Sequence, residues 1–166
     1  WPDLEKLMRE RAIPQFTVDG HRNVGEFDFL GLSFATELGY TNMLNAIDLA
    51  GVPLLASQRG LDHPIVVAGG HAALNPAPIA DFIDVAVLGE GEEAVLLITN
   101  ITRAWKDEGR PGGREELLLR LAKTGSIYVP AFFEVEYLPD GRIRRYTPNI
   151  PGVPWRVSKH TVMDLD

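Results

Sequence analysis

The most informative absence in this sequence is cysteine, of which its 166 residues contain none. Disulfides, zinc–thiolate sites, cysteine nucleophiles and thiolate-held iron–sulfur clusters are therefore excluded within the chain. Long apolar runs are also missing, because no stretch approaches the roughly 18 apolar residues of a membrane-spanning helix. The N-terminal segment mixes acidic and basic residues, unlike a signal peptide. These features predict a cytoplasmic protein without a membrane partner.

Positive charge is scarce as well. Lysine and arginine number 16 against 23 aspartates and glutamates, which leaves a net charge of −7. Because nucleic-acid binding needs clustered cations against the phosphates, the composition predicts no nucleic-acid partner. The glycine-rich turn at 89–93, GEGEE, matches neither G-x-G-x-x-G nor a P-loop, and no lysine follows it to meet phosphates. A free-standing nucleotide-binding protein is therefore disfavoured.

The residues that are present alternate between short apolar runs and segments of helical period. Strand-like runs cover 27–34, 64–70 and 84–88, and helical patterns cover 40–51 and about 92–108. This alternation is typical of βαβ units, and strands that are apolar throughout are usually buried on both faces. The sequence predicts an α/β fold, a three-layer doubly wound, mainly parallel sheet of the Rossmann/flavodoxin-like kind.

The pattern changes after residue 127. Strand formers at 132–137 and 142–146 flank the turn Pro139-Asp140-Gly141, which predicts a β-hairpin. Three prolines in the last stretch predict an extended segment. We therefore divide the chain into an α/β domain at 1–127, a hairpin extension at 128–147, and a linker at 148–166.

Small residues follow three of the predicted strands. In open parallel sheets, ligands bind beyond the carboxyl ends of the strands, and glycine lets a ligand approach the backbone closely. The same glycines also serve tight strand-to-helix turns, and a histidine there also caps or packs its turn, so both interpretations stay open. No nucleophile motif, acid–base pair or metal-ligand spacing is recognisable, so no catalytic or metal-binding residue is predicted. The candidate binding residues are Ser33, Gly69, Gly70, His71, Gly89, Glu90 and Gly91.

An ordered set of segments carries a family resemblance. They are WPDLE (1–5), FDFLGLS (27–33), YTNMLN (40–45), DLAGVPL (48–54), VVAGG (66–70), NPAPIADF (75–82), GEGEE (89–93) and YVP (128–130). Together they resemble the N-terminal, cobalamin-binding-like part of a family of radical S-adenosylmethionine (SAM) proteins of poorly defined function. The resemblance covers nearly the whole chain, in the same order.

The resemblance implies that this chain lacks the first βα unit of its domain and is followed by a radical SAM barrel. That barrel would be its partner in the same polypeptide and would carry the iron–sulfur cluster and S-adenosylmethionine. It also implies that the nucleotide tail of cobalamin lies against Ser33, Gly69 and Gly70. The Asp-x-His-x-x-Gly motif of many cobalamin domains is absent, since the glycine after Asp19-Gly20-His21 comes one residue too late. Cobalamin would then bind without a histidine ligand from this chain.

The expected function is that of an accessory cobalamin- or substrate-binding domain of a radical SAM enzyme, without catalysis by the fragment itself. The alternative is a structural or interaction module that has lost cofactor binding and whose strand ends are filled by side chains. A sheet without its first unit also exposes an edge strand, which predicts that two copies can pair as a homodimer.

Overall fold

The computed structural model describes residues 2–162 and shows a mixed α/β fold. In this range the α-helices are α1 (Pro2–Glu10), α2 (Tyr40–Leu49), α3 (Glu92–Asp107) and α4 (Gly113–Ala122). The strands are β1 (Phe29–Ser33), β2 (Ile65–Gly69), β3 (Val85–Val87), β4 (Ile127–Tyr128), β5 (Phe133–Tyr137) and β6 (Ile143–Pro148).

A four-stranded, mainly parallel sheet organises the fold, in the order β1-β2-β3-β4. The strands β1, β2 and β3 are parallel, and β4 is antiparallel to β3. This confirms the predicted α/β class. The carboxyl ends of β1, β2 and β3 lie at one edge of the sheet, which we call the carboxyl edge, and their first residues lie at the opposite edge, which we call the amino edge. Because β4 includes Tyr128, the sheet extends into the first residue of the predicted hairpin segment.

The core consists of two apolar clusters that the sheet separates. Alternate residues of a strand point to opposite faces. Val66 and Ala68 of β2 join one cluster with α2, whereas Ile65 joins the other cluster with α3 and α4. Helices therefore cover both faces of the central strands, which explains why β2 and β3 read as nearly continuous apolar runs.

The predicted hairpin is also present, as a separate antiparallel pair of β5 and β6. Asp140 and Gly141 form its turn, where Gly141 has a φ of +83° and Asp140 accepts a hydrogen bond from the Arg142 backbone N–H. Glycine adopts this left-handed conformation without a steric penalty. The residues that predicted the hairpin, Asp140 and Gly141, are therefore the ones that form its turn.

Two segments between and after the strands complete the fold. A 3-10 helix, Ala77–Phe82, leads into β3. The expected linker at 148–166 is largely extended where described, yet its residues 158–162 pack against the sheet. Residues 163–166 of that linker lie outside the described residues. Within residues 2–162, no helix has the length and apolar composition needed to cross a membrane.

Candidate functional site at the carboxyl edge

Three small residues lie side by side at the carboxyl edge. Ser33 is the register partner of Gly69, and Gly31 is the partner of Val67. Strand alternation places Gly31, Ser33 and Gly69 on the same face, and we call these three the small-residue patch. A Cβ added at Gly31 or Gly69 would meet no atom of residues 2–162 within 4 Å, and Ser33 is exposed. The structure therefore leaves the backbone of the patch accessible, although α3 and α4 cover the neighbouring part of the same face.

A groove at the end of β1 shares Ser33 with the patch and otherwise lies on the α2 side of the sheet. Its volume is about 460 Å³, and it lies between the loop after β1 and the first turns of α2. Ser33, Thr36 and Asn42 are its polar side chains, and the rest of its lining is apolar or glycine. Because none of the lining residues is charged, the groove suits an uncharged group better than a phosphate or an ammonium.

Gly70 has a different role from Gly69. Its φ is +89°, and an added Cβ would lie 2.4 Å from the backbone oxygen of Phe34. The Phe34 backbone is held there because its N–H donates to the Gly69 carbonyl at 2.9 Å and its carbonyl accepts from Ala72 at 3.3 Å. The close approach of the Phe34 backbone and the positive φ therefore both favour glycine at position 70. His71, which follows it, begins a short 3-10 helix and is exposed.

Gly89 is covered by the chain itself. We call residues 158–162 the C-terminal strap, because they run parallel to the chain beyond β3 through a bridge between Gly89 and His160. The His160 N–H donates to the Leu88 carbonyl at 2.7 Å, and the Glu90 N–H donates to the His160 carbonyl at 3.1 Å. Gly89 has a φ of +114°, and a Cβ there would lie 2.1 Å from the His160 oxygen. Glycine is therefore required by the strap.

The acidic side chains after β3 also hold the strap. Glu90 Oε2 accepts a hydrogen bond from the Val162 backbone N–H, and Glu93 Oε2 lies 3.2 Å from His160 Nε2. Gly91 lies at the N-terminus of α3, where an added Cβ would meet no described atom within 4 Å. The structure thus divides the predicted residues: Ser33 and Gly69 face accessible space, whereas Gly89 and Glu90 bind the chain's own strap. Sequence reasoning missed the strap because Glu90 and Val162 are 72 residues apart.

A buried ionic network lies at the amino edge of the sheet. Asp84 Oδ2 contacts the guanidinium groups of Arg59 at 2.8 Å and Arg114 at 2.9 Å, and the side chains of Arg59 and Asp84 are 0% and 2% exposed. Burial lowers the pKa of Arg59, and the adjacent Asp84 carboxylate opposes that shift. The sequence offered one signal for this network, a carboxylate directly before an apolar strand.

Backbone carbonyls accept hydrogen bonds from both arginines, and of their nitrogens only Arg114 Nε is buried without a partner among residues 2–162. Arg59 donates to the carbonyls of Pro53, Leu54 and Phe82, and Arg114 donates to those of Gly60, His63 and Pro64. The network therefore ties distant segments of the chain together. Among residues 2–162, no group of three or more His, Asp or Glu side chains is placed to hold a metal ion.

One of three comparisons with known proteins gives a match. The model of a family described as radical SAM proteins, N-terminal, matches residues 1–130. Searches of curated proteins and of solved structures give no match. The family match covers most of the sequence, including β1, β2 and β3 and the residues of the carboxyl edge. The chain belongs to the radical SAM N-terminal family.

Proposed function

We propose that this chain is an accessory domain of a radical SAM protein and that its carboxyl edge binds the nucleotide tail of cobalamin or a substrate. The small-residue patch of Gly31, Ser33 and Gly69 is the observation that carries this proposal. A flat ring can lie against the backbone where side chains are absent, and open α/β sheets bind ligands at this edge. The flavodoxin-like, cobalamin-domain-like arrangement that the resemblance implies belongs to the same proposal.

The groove that meets the patch at Ser33 agrees with such a ligand in size and charge. Small-molecule sites typically occupy about 300–1,000 Å³, and this groove has about 460 Å³. Its uncharged lining favours the base and ribose of a nucleotide tail, with the phosphate left toward solvent. His71 lies exposed beyond the same strand end and is a candidate contact for a polar group of the ligand.

The residues present fit cobalamin only in part. Ser33 and Gly69 would hold its tail, whereas Gly70 is packed against Phe34 and Gly89 is covered by the C-terminal strap. When bound, cobalamin supplies cobalt-centred group-transfer or electron-transfer chemistry. The iron–sulfur cluster and S-adenosylmethionine would belong to the radical SAM barrel, which we propose as the partner in the same polypeptide.

Cofactor retention by the full radical SAM protein that contains this chain tests the proposal. The protein is incubated with hydroxocobalamin and desalted, and its visible spectrum is recorded. We expect corrin absorbance in the wild type and its loss in Gly69→Val, because the new side chain projects from the patch, where an added Cβ has no described atom within 4 Å. The matched control is Gly60→Val, at an exposed glycine outside the patch. Wild-type protein without corrin absorbance would remove cobalamin from the proposal.

The structural module is the second candidate. The packing of Gly70 on Phe34 and the strap over Gly89 favour it, since both fill strand ends with the chain's own atoms. If the chain is a structural module, Gly69→Val should leave ligand retention unchanged. Its one expected effect is a modest rise in the free energy of unfolding, because valine favours strands more than glycine does. Substrate binding without cobalamin predicts no corrin absorbance but an activity that falls in Gly69→Val and not in Gly60→Val.

A further inference from the structure

A cavity larger than the groove lies at the amino edge, away from the proposed cofactor site. Its volume is about 930 Å³, and it lies between the β5–β6 hairpin and the segments that precede β3, partly open to solvent. Asp84, directly before β3, lines it on one side, and Tyr128 of β4 and Tyr146 of β6 line it on the other. This volume is within the range of about 300–1,000 Å³ that small-molecule sites occupy.

The hairpin turns its apolar face to this cavity. Val135 pairs with Tyr146 and Tyr137 pairs with Ile143, and all four side chains line the cavity. The opposite face is polar, because Glu136 forms ion pairs with arginines of β6. Tyr137 and Ile143 remain 61% and 43% exposed, respectively. A two-stranded hairpin is only marginally stable in water by itself, so an occupant that covers this face would stabilise it.

Aromatic rings form the inner wall of the cavity. The Tyr128 and Phe133 rings are 5.2 Å apart between centroids and tilted by 39°. Burial and the nearby Tyr146 raise the pKa of Tyr128 to about 12, so its hydroxyl keeps its proton at neutral pH. Such rings present π-faces that attract flat ligands and cations.

The charges around the cavity select the sign of a ligand. The guanidinium groups of Arg59 and Arg114 contact Asp84 and backbone carbonyls, which leaves little of their charge for an anionic ligand. Their one donor without a partner among residues 2–162, Arg114 Nε, is buried. Asp81 and Glu115 also line the cavity, are exposed, and form no ion pair with residues 2–162. Two unpaired carboxylates beside aromatic rings favour a cation and disfavour a phosphate or carboxylate.

We propose that this cavity binds a small ligand that carries a flat aromatic ring and a positively charged amine. The ring contacts Tyr128 and Tyr146, and the amine lies toward Asp81 and Glu115. This inference is independent of the proposed cofactor site, because the two sites lie at opposite edges of the sheet and share no lining residue.

Two probes of the same ring system and opposite charge test the proposal. Tryptamine and indoleacetate are titrated separately into the isotope-labelled 166-residue chain, and amide shifts are followed by NMR. We expect tryptamine to shift the amides of Tyr128, Val135 and Tyr146, with indoleacetate at least about tenfold weaker. A double variant, Asp81→Asn with Glu115→Gln, removes both exposed carboxylates of the cavity, and we call it the rim variant. It should weaken tryptamine binding about 3- to 10-fold.

The control is Glu134→Gln, which removes one carboxylate charge, against two in the tested variant, from a β5 residue that does not line the cavity. It should leave tryptamine binding unchanged. Equal affinity for the two probes would overturn the charge preference, and with it the proposal. The same conclusion follows if Glu134→Gln weakens binding as much as the rim variant does. An absence of shifts at these amides with either probe at about 10 mM would show that the cavity takes no such ligand.

Discussion

At the scale of single residues, the two adjacent glycines after β2 are glycine for different reasons. Gly69 has ordinary strand geometry and no described atom within 4 Å of an added Cβ, so nothing in its own packing requires glycine. Gly70 combines a φ of +89° with the close approach of the Phe34 backbone. The two glycines look equivalent in the sequence. In the structure, Gly69 is accessible and Gly70 is packed against the Phe34 backbone.

This difference predicts opposite effects of the same substitution. Gly70→Ala should lower the free energy of unfolding by at least about 1–2 kcal/mol, because alanine is strained at positive φ and its Cβ meets the Phe34 carbonyl. Gly69→Ala should raise that free energy by about 0.4–1 kcal/mol, because alanine restricts the unfolded chain more than glycine does. Urea unfolding of both variants measures the difference, and similar losses at the two positions would contradict it.

At the scale of secondary-structure elements, the buried network joins segments that are distant in the sequence. Arg59 follows the 3-10 helix Ala56–Gln58, Arg114 belongs to α4, and Asp84 precedes β3. Asp84 Oδ2 also accepts a hydrogen bond from the Val66 N–H of β2 at 2.7 Å. A single carboxylate therefore compensates two buried cations and positions the amino ends of neighbouring strands.

Asp84→Ala should consequently be severely destabilising. Removing one partner of a buried ion pair leaves an uncompensated charge and typically costs about 3–5 kcal/mol of unfolding free energy. Denaturant unfolding followed by circular dichroism measures the loss. The control is Asp28→Ala, because Asp28 pairs with Lys106 in a bridge whose side chains are 55% and 36% exposed. Such exposed pairs contribute about 0–1 kcal/mol. Equal losses of unfolding free energy in the two variants would show that burial does not determine how much each ion pair contributes to stability.

At the scale of the whole molecule, β1 is an edge strand of the sheet. Within the described part of the chain it pairs with β2 alone. The Asp28 carbonyl and the Phe34 N–H face β2, so alternation directs the backbone groups of Phe29, Gly31 and Ser33 to the free edge. No charged residue or proline interrupts residues 29–33. Natural sheets usually protect such an edge with these residues, so this edge is able to pair with another strand.

We therefore expect the isolated chain to form a homodimer through β1. Size-exclusion chromatography with light scattering should give twice the monomer mass. Gly31→Lys should shift the population to monomer, because a charged side chain on an edge strand opposes pairing. Gly60→Lys adds the same charge at an exposed glycine away from β1 and should remain dimeric. A wild-type chain that is monomeric at all concentrations would rule out this interface.

Local sequence patterns determined much of the architecture. Residue period predicted α2, α3 and the three parallel strands, and the Pro139-Asp140-Gly141 turn predicted the hairpin. These features depend on residues close together in the chain, so local sequence patterns are sufficient to predict them. The ordered motifs likewise indicated the radical SAM N-terminal family, which the family match confirms.

Only the tertiary structure decided which strand ends are accessible and which are filled. The strap over Gly89, the Arg59–Asp84–Arg114 network and the aromatic cavity beneath the hairpin all join residues far apart in the chain. Such contacts depend on how folded elements pack, and no local period or spacing encodes them. The absence of cysteine excluded thiolate chemistry, but composition could not predict these sites, which consist of backbone groups, aromatic rings and charged side chains.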